Sequence, residues 1–499
     1  MDQELVPVLA AVQDFLQREH GLWIDGGPRP ALSGRRSEVR NPASGAVIAS
    51  VAAGDAADAD AAVQSAQRAF ASGAWSGLRP AERERILLRL AELMEAHAEE
   101  LAQLETLNQG KSIQLARAIE VGGSIEFVRY MAGWATKITG ETMELSIPAP
   151  PGARFTAYTR REPIGVAAGI VPWNFPLMIA VWKLVPALAA GCSVVLKPAS
   201  ETPLTALRLA ELAQQAGVPP GVVNVVTGPG ASVGQALAGH PLVGKVSFTG
   251  STEVGKAVGH AALDNMTRLA LELGGKNPML VLADADIERV VEGALLGAFL
   301  NQGQVCAAAS RLYVHRSKFQ ALTEALADAI AGMRLGPGLD LNARVNPLVS
   351  QRQQQAVCRL LERSLAQGAR ALTGGGAAAL PGYFVRPTLL VDVAPDNVAA
   401  REEIFGPVLA AVPFDSVDEA VALANDTRYG LTASLWTNDL SAALNIVPRI
   451  QAGTVWVNSH IPLDPGLPFG GYKQSGIGRE FGKGAVESFT EIKSVCIAH

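Results

Sequence analysis

Cysteine and charge are both scarce in this chain of 499 residues. The four cysteines, which are Cys192, Cys306, Cys358 and Cys496, include no CxxC pair and are too few for a disulfide framework. We therefore expect a reduced, cytoplasmic protein. Charged residues make up only 18% of the chain, below the roughly 25% that is usual for soluble proteins. That deficit argues against disorder and indicates additional buried surface, such as a contact between subunits.

The sequence also lacks the signals of nucleic-acid binding, export and membrane insertion. Lys and Arg number 42 against 47 for Asp and Glu, which gives a net charge of −5, and no long basic run occurs. The N-terminus starts acidic, without a basic stretch ahead of an apolar one, so it does not resemble a secretory signal. Residues 163–182 carry no charge and reach the roughly 20 residues that span a bilayer, but Pro172, Pro176 and Asn174 break a continuous helix. We expect neither a nucleic-acid nor a membrane partner.

What the chain does have is an alternation of short apolar runs and helical patterns. Residues 1–50 are predicted to form strands and turns, residues 55–70 a helix, and Pro80 opens a second helix whose apolar stripe continues to Leu104. Strands are predicted at residues 164–171, 193–197, 222–226, 245–248, 269–273 and 279–282. Such βαβ units build a parallel sheet, which binds ligands beyond the carboxyl ends of its strands. A second α/β region is expected over residues 284–470.

Two glycine-bearing turns each follow a predicted strand and open a helix. They are TGPGASVG at residues 227–234 and FTGSTEVG at residues 248–255. A turn of this kind can lay a phosphate group against a helix N-terminus. Neither turn matches the strict GxGxxG fingerprint, and ordinary turns of α/β proteins look the same, so both interpretations stay open at this point.

Three polar side chains stand out as candidates for catalysis. Cys306 has small and polar neighbours, where a core cysteine would have bulky ones, yet no adjacent histidine could lower the pKa of its thiol. Glu272 ends an apolar run before two glycines, where partial burial would raise the pKa of a general base. Asn174 lies between Trp and Phe within a proline-bounded turn, which would hold its amide as a neutral oxyanion donor. Taken alone, each also fits a structural interpretation, as an inert thiol, a solvent-facing carboxylate and a turn asparagine.

Seven motifs in order decide between these interpretations. They are VPWNFP (171–176), LKPAS (196–200), FTGST (248–252), LELGGK (271–276), GQVC (303–306), EEIFGPV (402–408) and PFGGYKQSGIGRE (468–480). Together they resemble the aldehyde dehydrogenase family over essentially the whole chain. Further segments, such as FLNQGQVCAA (299–308) and QAGTVWVNSH (451–460), are most similar to bacterial phenylacetaldehyde dehydrogenases. The resemblance implies an α/β fold with a Rossmann-like cofactor domain, a second α/β catalytic domain and a small β oligomerisation extension.

The resemblance also implies a role for each matching residue in hydrolytic aldehyde oxidation. Cys306 matches the nucleophile that forms a thiohemiacetal, whose oxyanion is held by the Asn174 amide and the Cys306 backbone N–H. Hydride transfer to the nicotinamide leaves a thioester, and Glu272 matches the base that activates water to hydrolyse it. Branches that pass the acyl group to coenzyme A generally lack this glutamate, so Glu272 argues for release of the free acid. Lys183 and Glu480 match residues near a proton path behind the site.

The cofactor implied by the resemblance is NAD, and one position leaves NADP possible. Lys197 matches a lysine that contacts the adenosine ribose. NAD-dependent members often carry a glutamate three residues later, where this chain has Ser200 followed by Glu201. Without a carboxylate at Ser200 the 2′-phosphate of NADP is not repelled, although Glu201 could turn inward and repel it. The other implied cofactor positions are Val171, Pro172, Trp173, Gly230, Gly234, Ser251, Gly274, Glu403 and Phe405. No metal site is expected.

The substrate is inferred from the residues that match the family's tunnel lining. They are Phe175, Met178, Trp182, Val305, Leu463 and Phe469. All are apolar and half are aromatic, with no arginine among them for a distal carboxylate and no tyrosine cluster for a quaternary ammonium. We therefore expect phenylacetaldehyde or a related hydrophobic aldehyde. The alternatives are a semialdehyde or betaine-aldehyde dehydrogenase of the same family, a catalytically silent structural or binding protein on this fold, and an unrelated Rossmann-type protein.

The expected domain organisation divides the chain into three parts. Residues 1–142 and 163–273 form the NAD(P)-binding domain, and residues 274–474 form the catalytic domain. Residues 143–162 and 475–499 are the oligomerisation segments. In the family, the matching segments form a sheet between subunits, so the resemblance implies a homodimer or homotetramer.

Overall fold

The computed structural model describes residues 4–146 and 151–499. The helices are α1 (Ala10–Gln17), α2 (Ala56–Ala71), α3 (Pro80–Ala96), α4 (Ala98–Gln109), α5 (Ile113–Leu115), α6 (Gly122–Ala132), α7 (Pro176–Ala190), α8 (Leu204–Ala216), α9 (Gln235–Ala238), α10 (Thr252–Leu263), α11 (Ile287–Phe299), α12 (Arg316–Ala331), α13 (Gln351–Ala366), α14 (Val398–Arg401), α15 (Val417–Asn425), α16 (Leu440–Ile446) and α17 (Gly482–Glu487). Two further segments, Ala116–Val121 and Gly230–Gly234, are π-helical.

The strands alternate with these helices along most of the chain. They are β1 (Leu22–Ile24), β2 (Gly27–Arg29), β3 (Arg36–Arg40), β4 (Val47–Ala52), β5 (Thr142–Met143), β6 (Phe155–Pro163), β7 (Val166–Ile170), β8 (Ser193–Lys197), β9 (Val223–Val225), β10 (Val243–Thr249), β11 (Arg268–Glu272), β12 (Asn277–Val281), β13 (Ala309–His315), β14 (Arg370–Thr373), β15 (Thr388–Val391), β16 (Val408–Phe414), β17 (Thr432–Trp436), β18 (Thr454–Val457), β19 (Gly476–Ile477) and β20 (Thr490–Ala498).

The first sheet brings most of the sequence motifs to one edge. Among the described residues its strand order is β19-β11-β10-β7-β8-β9-β1-β2. The strands from β11 to β9 run parallel, so their carboxyl ends meet at the same edge. Along the chain β7, β8 and β9 extend the sheet in one direction, whereas β10 and β11 extend it in the other. The order therefore reverses between β7 and β10, which is where such sheets form a ligand crevice.

Helix α7 connects this edge to the core. Every residue of α7 is buried, because its sequence is apolar on all sides except at Lys183. Pro176 stands in the first turn of α7, where its missing N–H costs no hydrogen bond, and Gly191 ends the helix with φ 99°. The turn between β7 and α7, which carries VPWNFP, is thereby fixed between two buried elements.

The second sheet holds the other half of the site. Its order is β14-β15-β16-β13-β12-β17-β18 within the described chain, and all its pairings except that of β14 are parallel. Glu272 ends β11 in the first sheet and Asn277 begins β12 in the second, so the LELGGK motif crosses from one sheet to the other. Cys306 lies in the loop between α11 and β13.

A third, antiparallel sheet has the order β20-β6-β5 in the described residues. All nine residues of β20 pair with β6. Residues 147–150 of the expected oligomerisation segment 143–162 lie outside the described residues. The three sheets together confirm the predicted fold class.

Two sequence predictions were wrong in detail. Ala10–Gln17 forms helix α1 within a stretch predicted as strands and turns, because its buried Val12 and Phe15 give too short a pattern to identify a helix. The stripe from Pro80 to Leu104 is interrupted at His97, which separates α3 from α4. Strand β19, which lies in the expected oligomerisation segment 475–499, pairs with β11 of the first sheet.

No helix in residues 4–146 and 151–499 is long and apolar enough to cross a membrane. The uncharged stretch 163–182 divides into β7, a turn and the first part of α7, as its prolines predict. In the same described ranges, no group of three or more His, Cys, Asp and Glu side chains could hold a metal ion.

Candidate active site

Cys306 and Asn174 both open onto a cavity of about 800 Å³. The six residues predicted as tunnel lining all line this cavity; they are Phe175, Met178, Trp182, Val305, Leu463 and Phe469. They come from three separate segments of the chain, residues 175–182, 305 and 463–469, which meet around this cavity. A hydrophobic molecule in this cavity would meet the thiol and the amide at the same place.

An aromatic cluster forms one wall of the cavity. The ring of Trp182 lies 4.7 Å from that of Phe481 with the planes at 89°, and 6.4 Å from that of Phe469. Phe127 lies 5.3 Å from Phe481. Edge-to-face packing of this kind favours a further aromatic ring as neighbour. Phe127 and Phe481 could not be predicted from the sequence, because Phe127 is only one apolar position of a helix and Phe481 is only the residue after a motif.

Charged side chains line the exposed part of the same cavity. Arg289 and Glu292 of α11 and Glu126 of α6 are exposed and belong to the lining. The tunnel residues inferred from the sequence include no arginine, so Arg289 is a lining residue that was not predicted. Two carboxylates beside one guanidinium give this entrance a negative balance, which disfavours a second carboxylate on a ligand.

The thiol of Cys306 is protonated at neutral pH. Burial raises its pKa to about 12, and the negative charges of Glu272 and Glu403 act in the same direction. His460, which the sequence analysis did not identify, lines the cavity with Nε2 2.9 Å from the Ala307 carbonyl oxygen. Burial lowers the pKa of His460 to about 4, so its ring is neutral and already hydrogen-bonded. Cys306 therefore needs an additional positive charge nearby to become a thiolate.

Asn174 is held against the loop that carries Cys306. Its Nδ2 donates a hydrogen bond of 2.9 Å to the carbonyl oxygen of Gln304, and Nδ2 of Asn301 donates one of 2.9 Å to the carbonyl oxygen of Asn174. An amide group has two N–H donors, so one remains for a ligand oxygen in the cavity. No local pattern pointed to Asn301 or Gln304, because both contacts join residues about 130 positions apart.

The backbone ahead of Cys306 is strained. Asn301, Gln302 and Gly303 have φ values of 47°, 56° and 69°, in the left-handed region that side chains disfavour. Each such residue other than glycine costs about 1–3 kcal/mol. A Cβ atom on Gly303 would overlap the carbonyl group of Gly406, so only glycine fits there. Strain of this kind concentrates at functional sites, where surrounding packing holds it.

Glu272 is buried behind the cavity and is not among the residues that line it. It ends β11 opposite Thr249 of β10 and is 4% exposed. Neither carboxylate oxygen has a hydrogen-bond partner within the described chain. Burial, followed by the negative charge of Glu480, raises the pKa of Glu272 well above its usual value. The carboxyl group therefore favours its protonated form, and among the described residues its oxygens lack the hydrogen bonds that buried carboxyl groups normally make.

Lys183 and Glu480 form a buried ion pair on the face of β10 near Glu272. Nζ of Lys183 lies 2.6 Å from Oγ1 of Thr249, and Oγ of Ser247 donates a hydrogen bond of 3.3 Å to Oε1 of Glu480. The second oxygen of Glu480 has no partner among the described residues. These contacts build a polar chain through an otherwise apolar sheet, which is what proton movement requires.

The expected adenosine-side residues lie along the carboxyl edge of the first sheet. The backbone N–H of Val171 donates to the carbonyl oxygen of Lys197 at 3.0 Å. The ammonium group of Lys197 contacts the carbonyl oxygen of Pro198 at 2.9 Å, and burial lowers its pKa to about 8. A Cβ atom on Gly234 would lie 3.7 Å from Cδ of Lys197, whereas one on Gly230 would meet open space. The carboxyl edge of the first sheet thus carries the buried ammonium group of Lys197 and has open space at Gly230.

A second group of expected cofactor residues surrounds Glu403. Its Oε1 accepts a hydrogen bond of 2.9 Å from the backbone N–H of Gly275, and a Cβ atom on Gly274 would overlap its Oε2. Burial raises the pKa of Glu403 to about 7. The ring of Trp173 packs edge-on against Phe405 at 5.2 Å. This contact brings Trp173, one of the expected cofactor residues, next to the segment that carries Glu403 and Phe405.

The turn after β8 separates Ser200 from Glu201. Oγ of Ser200 donates to the carbonyl oxygen of Gly228 at 3.1 Å. The carboxylate of Glu201 forms a 2.5 Å ion pair with Arg352 of α13, so part of its charge is neutralised. Ser251 caps α10 by accepting a hydrogen bond from the backbone N–H of Val254 at 3.3 Å, which leaves other N–H groups of that first turn free for an anion.

Comparisons with known proteins agree with this geometry. Residues 30–495 match the sequence model described as the aldehyde dehydrogenase family. The chain is 50% identical over 488 residues to a phenylacetaldehyde dehydrogenase of Pseudomonas fluorescens, with 97% of each chain covered. It superposes on the NAD+ complex of an aldehyde dehydrogenase from Bacillus cereus with a TM-score of 0.96, at 43% identity and 99% coverage of both chains. It also superposes on a betaine aldehyde dehydrogenase from Staphylococcus aureus bound to NAD+, with a TM-score of 0.95, 36% identity and coverage of 98% and 97%.

Proposed function

The chain belongs to the aldehyde dehydrogenase family, and from that membership we propose that it oxidises phenylacetaldehyde or a closely related hydrophobic aldehyde to the carboxylic acid. The reaction class is NAD-dependent aldehyde oxidation without transfer to coenzyme A. The observation that carries the substrate proposal is the cavity in which an aromatic wall faces the same space as Cys306 and Asn174.

The proposed reaction begins at Cys306. The thiol of Cys306 first gives up its proton to solvent. Its Sγ then attacks the aldehyde carbon, and the resulting oxyanion accepts hydrogen bonds from the free N–H of Asn174 and the backbone N–H of Cys306. NAD, when bound, would supply a cationic ring that accepts the hydride lost from the former aldehyde carbon as the C=O bond re-forms, which leaves a thioester on Cys306. Glu272 then takes a proton from the water that attacks the thioester carbon, and the S–C bond breaks to release the acid. Lys183 and Glu480 lead the proton away from Glu272.

The residues at the sheet edge fit NAD. Glu403 is a half-buried carboxylate beside Gly274, where any side chain would displace it, and it would bind the hydroxyls of the nicotinamide ribose. Lys197 would bind the adenosine ribose, and the first turn of α10 behind Ser251 would face the pyrophosphate. A positive charge brought next to Cys306 would also lower the raised pKa of its thiol.

The cavity favours an aromatic substrate over a charged one. Trp182, Phe469 and Phe481 offer ring edges and faces to an aryl group. The negative balance at the entrance, from Glu126 and Glu292 against Arg289, opposes the carboxylate of a semialdehyde. The related Pseudomonas enzyme carries the name phenylacetaldehyde dehydrogenase, which supports the same substrate.

Steady-state kinetics with a panel of aldehydes test this proposal. We expect kcat/KM for phenylacetaldehyde to exceed that for hexanal by up to about 100-fold and that for succinic semialdehyde or betaine aldehyde by more, because desolvating a charge in an apolar cavity costs several kcal/mol. Each aldehyde should be measured with NAD and with NADP. A charged aldehyde with the highest kcat/KM would overturn the substrate proposal and leave the reaction class intact.

We further infer that the three-stranded sheet of β20, β6 and β5 contacts another copy of the chain. Ile492 and Ile497 of β20 are 58% and 47% exposed, and long exposed apolar edge strands favour pairing with a partner. Residues 143–162 and 475–499 would then be oligomerisation segments around a cofactor domain and a catalytic domain divided near residue 273. Analytical ultracentrifugation tests this, and a monomer at micromolar concentration would contradict it.

A further inference from the structure

A buried ion cluster, formed by Lys111, Glu105 and Glu120, lies next to the cavity wall. Nζ of Lys111 forms an ion pair with Glu120 and lies 3.5 Å from Oε2 of Glu105. The side chains of all three residues are at most 1% exposed. Removing three charged groups from water is expensive, and a buried ion pair is weak support for stability by itself. A contribution to stability alone therefore does not explain why these three charged groups are buried together.

The remaining contacts of the cluster converge on residues 174–178. Nζ of Lys111 donates to the carbonyl oxygen of Asn174 at 3.1 Å. Oε1 of Glu105 accepts from the backbone N–H of Leu177 at 3.1 Å, and Oε1 of Glu120 accepts from that of Met178 at 2.9 Å. The cluster thus holds, by direct hydrogen bonds, the segment that supplies the amide of Asn174.

These contacts replace the usual cap of α7. Leu177 and Met178 lie in the first turn of α7, whose N–H groups lack partners within the helix. The residue before the helix, Phe175, provides no side-chain cap. Carboxylates are favourable at a helix N-terminus, and Glu105 and Glu120 reach this one from α4 and from the π-helical segment.

Lys111 also contacts the ring of Phe175, the residue between Asn174 and helix α7. Its Nζ lies 4.5 Å from the centroid of the Phe175 ring, within the range of a cation–π contact. Phe175 lines the cavity beside Cys306. The position of one buried cation therefore determines both the backbone of Asn174 and a ring of the cavity wall.

We propose that Lys111 and Glu120, supported by Glu105, are positioning residues that keep the Asn174 amide directed at the oxyanion formed on Cys306. The proposal rests on the proposed function, in which Asn174 donates to that oxyanion. The donor must lie about 2.7–3.1 Å from the oxyanion to be effective, and misplacement by about 1 Å can cost about 100-fold in rate. The ion cluster provides this precision because it contacts the carbonyl oxygen of Asn174 and also the first turn of α7, which follows Asn174 in the chain.

We expect the cluster to lose most of its charge, and not only its cation, when Lys111 is removed. Burial and the charge of Glu105 already raise the pKa of Glu120 to about 7, whereas Lys111 acts in the opposite direction. Without Lys111 the carboxyl group of Glu120 would hold its proton and remain uncharged. Lys111→Met combined with Glu120→Gln therefore leaves one charge in the cluster, that of Glu105, which still accepts from Leu177 and from Thr205 at 2.6 Å.

Single-turnover formation of NADH from phenylacetaldehyde tests the proposal in two backgrounds. In the otherwise wild-type enzyme, Lys111→Met/Glu120→Gln should slow this step by about ten- to 100-fold. In the Asn174→Ala enzyme the same pair should slow it by less than about threefold, because interacting residues are not additive. The dissociation constant of NAD should change by less than about threefold in either background, since the cluster contacts none of the proposed cofactor residues.

A matched control removes a buried ion pair elsewhere. Nε of Arg208 lies 2.7 Å from Oε1 of Glu100, and their side chains are 9% and 10% exposed. Arg208→Met/Glu100→Gln should leave single-turnover NADH formation within about twofold of wild type. Equal losses for the Lys111 pair in both backgrounds would overturn the positioning role. A wild-type rate for Asn174→Ala would instead overturn the proposed role of Asn174 itself.

The single substitution Glu120→Gln keeps the test available if the double variant does not fold. Gln retains an oxygen acceptor for the N–H of Met178 but loses the ion pair with Lys111. A loss of at least about fivefold with Asn174 present, and of less than about twofold with Asn174→Ala, supports the proposal. Equal losses in the two backgrounds contradict it.

Discussion

Nδ2 of Asn174 donates a hydrogen bond of 2.9 Å to the carbonyl oxygen of Gln304, two residues before Cys306. This bond joins the turn after β7 in the first sheet to the loop before β13 in the second. It determines which way the amide faces, because the carbonyl of Gln304 can accept only from the NH2 side. The amide and the thiol are thereby fixed relative to each other before any ligand arrives.

Replacement of the proposed nucleophile should remove the activity and spare the fold. We expect Cys306→Ala to reduce kcat below about 1% of wild type, because no other group can form the thioester. The dissociation constant of NAD should remain within about threefold, as measured by fluorescence quenching. Cys358→Ala is the matched control, since Cys358 is half-buried in another part of the fold. Turnover above a few per cent in Cys306→Ala would contradict the assignment.

Glu272→Gln should separate the two halves of the reaction. The oxidation step does not need the base, so stopped-flow traces should show a burst of about one NADH per active site. Hydrolysis of the thioester should then slow by about 100-fold or more, the usual contribution of a general base. If the burst disappears together with turnover, Glu272 acts on the thiol of Cys306 and not on water.

The pH dependence of thiol alkylation should report the raised pKa of Cys306. Below a pKa of about 12, the thiolate fraction rises about tenfold for each pH unit. The rate of iodoacetamide modification without NAD, followed by peptide mass spectrometry, should therefore rise from pH 7 to pH 9.5 without a plateau. NAD should increase the rate at pH 7.5. Exposed Cys496 in the same sample provides the control for reagent reactivity, and a plateau for Cys306 near pH 8 would contradict the prediction.

Ser200→Glu should shift the cofactor preference further toward NAD. A carboxylate about 4 Å from the 2′-phosphate of NADP repels it by about 1–4 kcal/mol for each pair of charges. The ratio of kcat/KM for NADP to that for NAD should fall roughly ten- to several-hundred-fold. Glu201→Gln is the control, because Glu201 already pairs with Arg352 and should change the ratio less. An unchanged ratio in Ser200→Glu would show that this turn does not face the 2′-hydroxyl.

Local sequence patterns were sufficient for most of the fold. Strand β8 begins and ends where its apolar run predicts, at Ser193 and Lys197, and α3 begins at Pro80 as predicted. Periodicity and capping act over a few residues, so they can be identified without knowledge of the fold. Helix α1 was not predicted because it is only eight residues long and shows one short apolar repeat.

The motifs likewise identified the residues around Cys306, and all six predicted tunnel residues line one cavity. Phe127, Phe481 and His460 line it as well, but nothing in their own segments distinguishes them from ordinary core residues. Their role depends on which helices pack beside α7, and that is decided by contacts over hundreds of residues.

The sequence by itself determined the elements, the parallel sheets and the family, because these follow from local periodicity and from motifs of adjacent residues. Only the tertiary structure decided the surroundings of each polar group. It buried Glu272 with oxygens that have no hydrogen-bond partner in the described part of the chain, turned Glu201 toward Arg352 and brought Lys111 to the carbonyl oxygen of Asn174. The physical reason is that burial and charge set a pKa through neighbours in space, and those neighbours come from distant parts of the chain.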